Sequence, residues 1–358
     1  MSFVHLVITL PGLLRPPDAG ASLPPRTSAP GVRPSVTPRS APCPAPHLAH
    51  LLAAADEPVR EPDGIGVALA KVYGIARQAD WPLAAIRLES LGIDAGAHYW
   101  LAADPVTLVA GRDDVRLAGA VADLAAGEAA ALIAMLNAHF AEHGLMFVAP
   151  RPGTWFVRVP AIQAIAARPP EAVIGRTLRG LLASGPDAGK WRRWQNEVQM
   201  LLHEHPVNMA REARALPPAN SVWFWGGGTR PPASGASIRT FADGGIAGAL
   251  AAHLGEPARP LPAALDPVLA AASGAATAVI AFDPPLDLAA IERAWAAPAW
   301  AALGRGAVTT VTLIADGDHG ATAWTARRPD AWRRLRGHFR APDLAALLAA
   351  RPDSITGD

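Results

Sequence analysis

DAGKWRRWQNEVQMLLHEHPVNMAREARALPPANSVWFWGGGTR, residues 187–230, is the stretch from which the rest of the chain is read. Trp191, Trp194, Val198, Leu201 and Leu202 fall near helical spacing and give one apolar face. Asp187 stands where a carboxylate accepts the first free N–H groups of a helix. Pro206 has no N–H to donate, so the helix is expected to stop near His205. A polar cluster follows: His203, His205, Asn208, Arg211, Glu212 and Arg214. Pro217 and Pro218 interrupt the chain again. Residues 221–225 then read as a short buried strand, closed by a turn at Gly226, Gly227 and Gly228. A strand that runs into glycines lets backbone N–H groups approach an anion, although most such turns only reverse the chain.

The whole sequence bounds the answer. Its 358 residues suggest two domains, and 51% apolar against 18% charged residues allow a large buried core. A formal net charge of +1, with both signs interspersed, excludes a nucleic-acid footprint. The single cysteine, Cys43, excludes an intramolecular disulfide and a cysteine-based metal cluster. It suits a reducing compartment, and a cytoplasmic location is expected. It lies in a Pro-rich segment without basic neighbours to activate it, so no nucleophile role is assigned to it. The apolar run at 3–10 lacks a preceding basic residue and a small-residue cleavage site, so it reads as a strand rather than a signal peptide. No stretch of about 18 residues escapes charge or proline, so no membrane span is expected.

In chain order, residues 4–10 read as a strand, and 15–46 as a Pro-, Ser- and Ala-rich loop. Helices are expected at 46–55, 65–73 and 82–91. From His98 the pattern changes: strands at 99–101, 106–109 and 115–118, a helix at 127–143, and strands at 146–148 and 155–159. After the central stretch come a strand at 237–241, a helix at 245–254, a strand at 276–282, a helix at 286–295, a strand at 308–314 and a terminal helix at 344–350. The flanks alternate like an α/β core, and the middle mixes strands and helices like an α+β module.

Three blocks carry a family resemblance: PLAAIRLESLGIDAGAHYWLAADPVTLVAGRD, LAAGEAAALIAMLNAHFAEHGLMFVAPRPGTWFVRV, and HPVNMAREARALPPANSVWFWGGGTRPP followed by FADGGIAGALAAHLGEPARPLP. In order and spacing they resemble the archaeal-type cofactor-independent phosphoglycerate mutases of the alkaline phosphatase superfamily, and most of all a bacterial branch of RpfE-type regulatory proteins. The resemblance implies an alkaline-phosphatase-like α/β core, discontinuous over 1–97 and 219–358, with an α+β domain inserted at 98–218. It also implies chemistry with two divalent metals held by Asp and His, and a serine that accepts the phosphoryl group. The family's L-D-G-L falls on Leu10-Pro11-Gly12-Leu13, where Pro11 cannot ligate a metal. Its G-S-D-V-A-H falls on Gly64-Ile65-Gly66-Val67-Ala68-Leu69, where Ile65 has no hydroxyl and Gly66 no carboxylate. Its later Asp…Gly-His segment falls on Phe282-Asp283-Pro284-Pro285-Leu286-Asp287, without a histidine. Only A-D-H-G keeps a counterpart, in Ala315-Asp316-Gly317-Asp318-His319-Gly320. Parts of a catalytic centre act as a unit, so these losses remove nearly all acceleration. The expectation is a catalytically degenerate relative acting as a regulatory, ligand-sensing or interaction protein. The alternative is a metal-dependent mutase or phosphatase with a rearranged site, for which Asp56, Glu57, Asp63 or Ser90 could supply a missing group.

Two clusters are candidate sites. His205, Asn208 and Arg211 match the family's H-P-[IV]-N…R motif. They make either a pocket for a phosphorylated or carboxylate small molecule, with Arg211 binding bidentately, or a polar network that fastens the insertion. Asp316, Asp318 and His319 hold either one divalent cation (Mn, Mg or Zn) at the carboxyl end of a strand, or nothing more than a tight turn. His203 and His205, two apart, do not share a helix face and are no metal pair. Trp223 and Trp225 read as core packing ahead of ligand stacking. RRPDAWRRLR at 327–336 reads as a solvated helix face, and the 15–46 segment as a place where a protein partner could bind.

Overall fold

The computed structural model describes residues 4–14, 45–111, 114–272, 274–317, 320–328 and 344–349. Among these residues, eleven strands form two sheets. The strands are β1 (Val4–Leu10), β2 (Val59–Glu61), β3 (Tyr99–Ala110), β4 (Val115–Ala120), β5 (Met146–Arg151), β6 (Thr154–Val159), β7 (Ser221–Gly228), β8 (Ile238–Phe241), β9 (Thr277–Ala281), β10 (Val308–Gly317) and β11 (Gly320–Arg327). The helices are α1 (Pro46–Ala53), α2 (Gly64–Val72), α3 (Leu83–Ser90), α4 (Ala126–Phe140), α5 (Ala188–His203), α6 (Pro206–Ala213), α7 (Gly245–His253), α8 (Leu265–Ala271), α9 (Leu288–Ile291), α10 (Ala297–Arg305) and α11 (Leu344–Ala349). A π-helical turn, Glu292–Ala296, joins α9 to α10.

The first sheet has the order β2-β11-β10-β1-β9-β8. β1 lies parallel to both β9 and β10, and β8 parallel to β9, while β11 and β2 add an antiparallel edge. Parallel central strands are buried on both faces and read as continuous apolar runs. β1 shows it: Leu6, Ile8 and Leu10 pack with α1, α8 and α10 on one face, and Val7 packs with α2 and α7 on the other. Second comes a five-stranded antiparallel sheet, β4-β3-β6-β5, with β7 on the other edge of β3. Its residues alternate too. Leu101, Ala103, Val222 and Phe224 face α4 and α5, whereas Trp100, Ala102, Trp223 and Trp225 face α3 and the core. The layers therefore run helices, sheet, helices α2, α3 and α7, sheet, helices α4 and α5. This is a mixed α/β core carrying an α+β insertion.

Several local expectations change. Residues 221–225, given to the core from the sequence, belong to the inserted sheet, because β7 hydrogen-bonds along β3 from Val106↔Ser221 to Trp100↔Gly228. The three glycines continue that strand and form no anion turn. They are needed for close packing. A Cβ at Gly228 would lie 2.5 Å from Cβ of Pro82, and one at Gly227 2.6 Å from the Tyr99 hydroxyl. Strands expected at 99–101 and 106–109 are one strand, with Pro105 inside it. Leu108 turns its N–H toward Asn220 on the β7 side (2.7 Å), so Pro105, odd where Leu108 is even, turns its nitrogen the other way. There it meets the gap between β6, paired up to Ala102, and β4, paired from Val106, and the missing donor costs no ladder bond. Asp187 does not cap α5. Its Oδ2 instead accepts the Ala164 N–H at 2.7 Å. The polar segment after Pro206 is the helix α6, which proline opens at its first turn. β2, β11 and α8 had no counterpart in the sequence reading. The segments 15–44 and 329–336 lie outside the described residues.

Candidate functional site

The carboxyl ends of β1 and β10 come together where an open α/β sheet places its ligands. The turn after β1 is tied to β10 by two bonds. Gly12 N–H donates to Oδ1 of Asp316 at 2.5 Å, and Leu14 N–H to the Asp316 carbonyl at 3.0 Å. Asp316 is buried. Leu13 and Leu14 pack onto one core cluster, and Ile65, in the first turn of α2, packs onto the other. Apolar side chains thus stand where the resemblance places a nucleophile. Of the expected metal set, Asp318 and His319 lie outside the described residues. Among the described residues no three His, Cys, Asp or Glu side chains converge on a metal position. The described donors do not fit a two-metal centre.

His205, Asn208 and Arg211 do come together, but as a closed knot rather than a pocket. His205 caps α6, its Nδ1 accepting the Val207 N–H at 3.2 Å. Asn208, 1% exposed, donates to the carbonyls of Leu202 (2.7 Å) and Ala219 (2.9 Å) and accepts the Ala219 N–H (2.9 Å). Arg211, also 1% exposed, donates Nε–H to the Pro217 carbonyl (2.9 Å) and its two amino groups to Glu128 (2.9 Å) and Asp123 (2.6 Å). Those contacts hold Glu128 below the usual carboxylate range, foremost through the backbone N–H of Ala125 and then through Arg214 and Arg211. The chain's own carboxylates occupy the guanidinium that an anionic ligand would need. The knot fastens α6 to the head of α4.

The open polar site lies at the seam between the two sheets. A cavity of about 290 Å³ is bordered by Asp63 at the head of α2, by Arg77 and Asp80 between α2 and α3, and by Arg168, Leu182 and Ser184 from the insertion. Asp80 is buried and clamps three segments. Its Oδ1 accepts the Trp81 N–H at 2.8 Å, and its Oδ2 those of Ala167 (3.2 Å) and Gly227 (3.4 Å). Burial nevertheless pushes its carboxyl up to about 6, against the pull of those N–H groups and of Arg77. Arg168 reaches Asp63 only at 3.6 Å, beyond hydrogen-bond range, while its carbonyl accepts from Trp223 Nε1 at 2.7 Å. Arg77 is exposed and makes no hydrogen bond among the described residues. Two guanidinium groups thus border the cavity with donors unspent.

Deeper in the seam lies a charge cluster. Arg87 pairs with Asp104 at 3.3 Å and sits over the rings of Trp225 (4.9 Å) and Phe156 (5.5 Å). Trp225 Nε1 donates to Asp104 Oδ2 at 2.8 Å, and Asp104 Oδ1 is buried with no hydrogen-bond partner among the described residues. Burial pushes the Glu171 carboxyl above its ordinary range. Arg87 opposes this, and the charges of Asp104 and Asp316 add to it. Glu171 therefore feels both the insertion's buried acid and the one at the end of β10. The sequence reading singled out none of Arg77, Asp80, Arg87, Asp104, Arg168 or Glu171. One signal was legible: Asp104 is a lone acid inside the otherwise apolar run YWLAADPV, and a buried charge needs a partner.

No family profile matches the chain. A 63-residue segment is 38% identical to the 2,3-bisphosphoglycerate-independent phosphoglycerate mutase of Methanothrix thermoacetophila and 32% identical to that of Methanosarcina barkeri. That segment is phosphoglycerate-mutase-like. In each case the likeness covers 18% of this chain and 16% of the length of the mutase. Two solved structures can be laid over most of it. The cofactor-independent phosphoglycerate mutase of Thermoplasma acidophilum covers 90% of this chain, and 89% of its own, at 15% identity and a TM-score of 0.38. A Pyrococcus horikoshii protein covers 99% of both chains at 13% identity and a TM-score of 0.46. The mutase likeness rests on the short sequence match, and the fold on the chain's own strand order. No helix among the described residues is long and apolar enough to cross a membrane.

Proposed function

We propose that this mutase-like chain is catalytically silent and acts as a regulatory, ligand-sensing protein of the RpfE-type kind. Its ligand is a small phosphorylated or carboxylate molecule held in the seam cavity. One observation carries the reading: Ile65, half-buried at the head of α2, packs against the core, and Pro11 ends β1, where transfer chemistry calls for a hydroxyl and a metal ligand. Arg77 and Arg168 supply the binding donors, since guanidinium groups take carboxylates and phosphates in forked pairs. The alternative is a metal-dependent mutase or phosphatase working at Asp316, Asp318 and His319 with Mn, Mg or Zn. Incubation with Mn²⁺ or Mg²⁺ and 3-phosphoglycerate separates the two. The silent reading expects no isomerisation and no phosphate release, but calorimetric binding of 3-phosphoglycerate that Arg77→Ala with Arg168→Ala abolishes. Turnover that His319→Ala removes would overturn it.

A further inference from the structure

Residues 177–185 run from beside β4 to the head of α5 and form a partition. Gly180, Leu182 and Ser184 border the seam cavity on one side and a second, larger groove of about 1200 Å³ on the other. Backbone pairing pins the partition: Ser184 and Ala166 exchange N–H···O bonds at 2.9 and 3.0 Å, and Leu178 N–H donates to the Val115 carbonyl at 2.8 Å. The opposite wall of the groove is α5. Arg192, Gln195, Asn196 and Gln199 line it at i, i+3, i+4 and i+7, so one polar stripe of the helix faces a concavity instead of open water. Trp191, Val198 and Leu202 face the inserted core from the other side of α5.

The lining has a definite chemistry. Leu108 and Leu178 give it apolar ground. Asn196 and Gln199 each offer an amide donor and acceptor, the same pair that a peptide group presents. Arg192 uses Nε–H on the Ala188 carbonyl at 3.3 Å, which leaves its terminal amino groups. Arg179, exposed on the partition, makes no hydrogen bond or ion pair among the described residues. Asp114, the one carboxylate among the described lining residues, is already paired with Arg116 at 3.2 Å. The groove is therefore cationic, amide-lined and larger than the roughly 300–1000 Å³ of ordinary small-molecule pockets.

We propose that this groove binds an extended acidic peptide segment of a partner protein. The amides along α5 pair with its main chain, and Arg179 and Arg192 take its carboxylates. The site is separate from the seam cavity and does not depend on the function assigned there. The test is fluorescence anisotropy on the full chain with a labelled octapeptide of alternating Asp, Glu and Gly, beside its Lys counterpart. The acidic peptide binds and the basic one does not. R179E with R192E weakens the acidic peptide at least about tenfold and confers binding of the basic one. N196A with Q199A weakens the acidic peptide several-fold at unchanged charge. R77A with R168A leaves it unchanged, which separates this groove from the seam. R179E alone, on an exposed loop side chain, serves if the double variant misfolds. The proposal is overturned if the acidic peptide does not bind, if the charge-reversed variants bind it equally well, or if equimolar 3-phosphoglycerate displaces it completely.

Discussion

Two arginine clusters lie on opposite sides of the inserted sheet. At Arg211, three backbone or carboxylate acceptors meet a side chain that is 1% exposed. At Arg77 and Arg168, the nearest carboxylates are spent on backbone N–H groups or stand at 3.6 Å. The first cluster matches a family motif and holds the fold. The second matches no motif and keeps its donors for something else. The difference teaches that a motif identifies which side chains are constrained, while satisfaction of their hydrogen bonds shows what constrains them.

That contrast can be broken in order of size. Arg211→Ala removes a buried side chain together with its bond to the Pro217 carbonyl and opens a void, while Glu128 and Asp123 still reach water, so chemical denaturation should show a loss of about 2–4 kcal/mol. A loss under 1 kcal/mol would mean that the knot is not structural. Asp80 comes next. Its folded carboxyl titrates near 6, above the ordinary 3.8, so the native state keeps a proton that the unfolded chain has released. The stability this brings is complete below about pH 4 and fades as pH rises through 6, of the order of 3 kcal/mol across that window. Denaturation profiles from pH 4 to 7 should show a shallower decline for Asp80→Asn than for the parent protein. Identical slopes would remove Asp80 as the cause. Smallest is Arg77→Ala, expected to stay within about 0.5 kcal/mol of the parent because nothing is buried with it. A large loss there would make the seam a second fastening and erase the contrast.

The sequence carried the strands β1, β9 and β10 openly, because strands buried on both faces cannot avoid being apolar. It also carried α1, α7 and the α+β character of the middle. β7 was misplaced because the partner of a strand is a tertiary fact: SVWFW alternates equally well for either sheet. Pro105 split β3 on paper, since only the staggered neighbours β6 and β4 reveal that its nitrogen needs no partner. The seam arginines were illegible for a related reason. Arg77 and Arg168 lie in irregular loops with no spacing to count, and they meet only once the insertion docks. The knot at Arg211 was found through its motif and given two readings. Counting its acceptors decides for the fastening.

The order of β1 in the chain has one more consequence. It is made before every other described strand, yet its neighbours in the sheet begin at Thr277 and Val308, whereas the inserted sheet is complete by Gly228. A ribosome releasing this chain therefore exposes VHLVITL, uncharged and strand-prone, long before its partners exist. The insertion can close first, and the α/β core must assemble around it afterwards. Newborn copies of this protein should meet chaperones, or one another, through those seven residues.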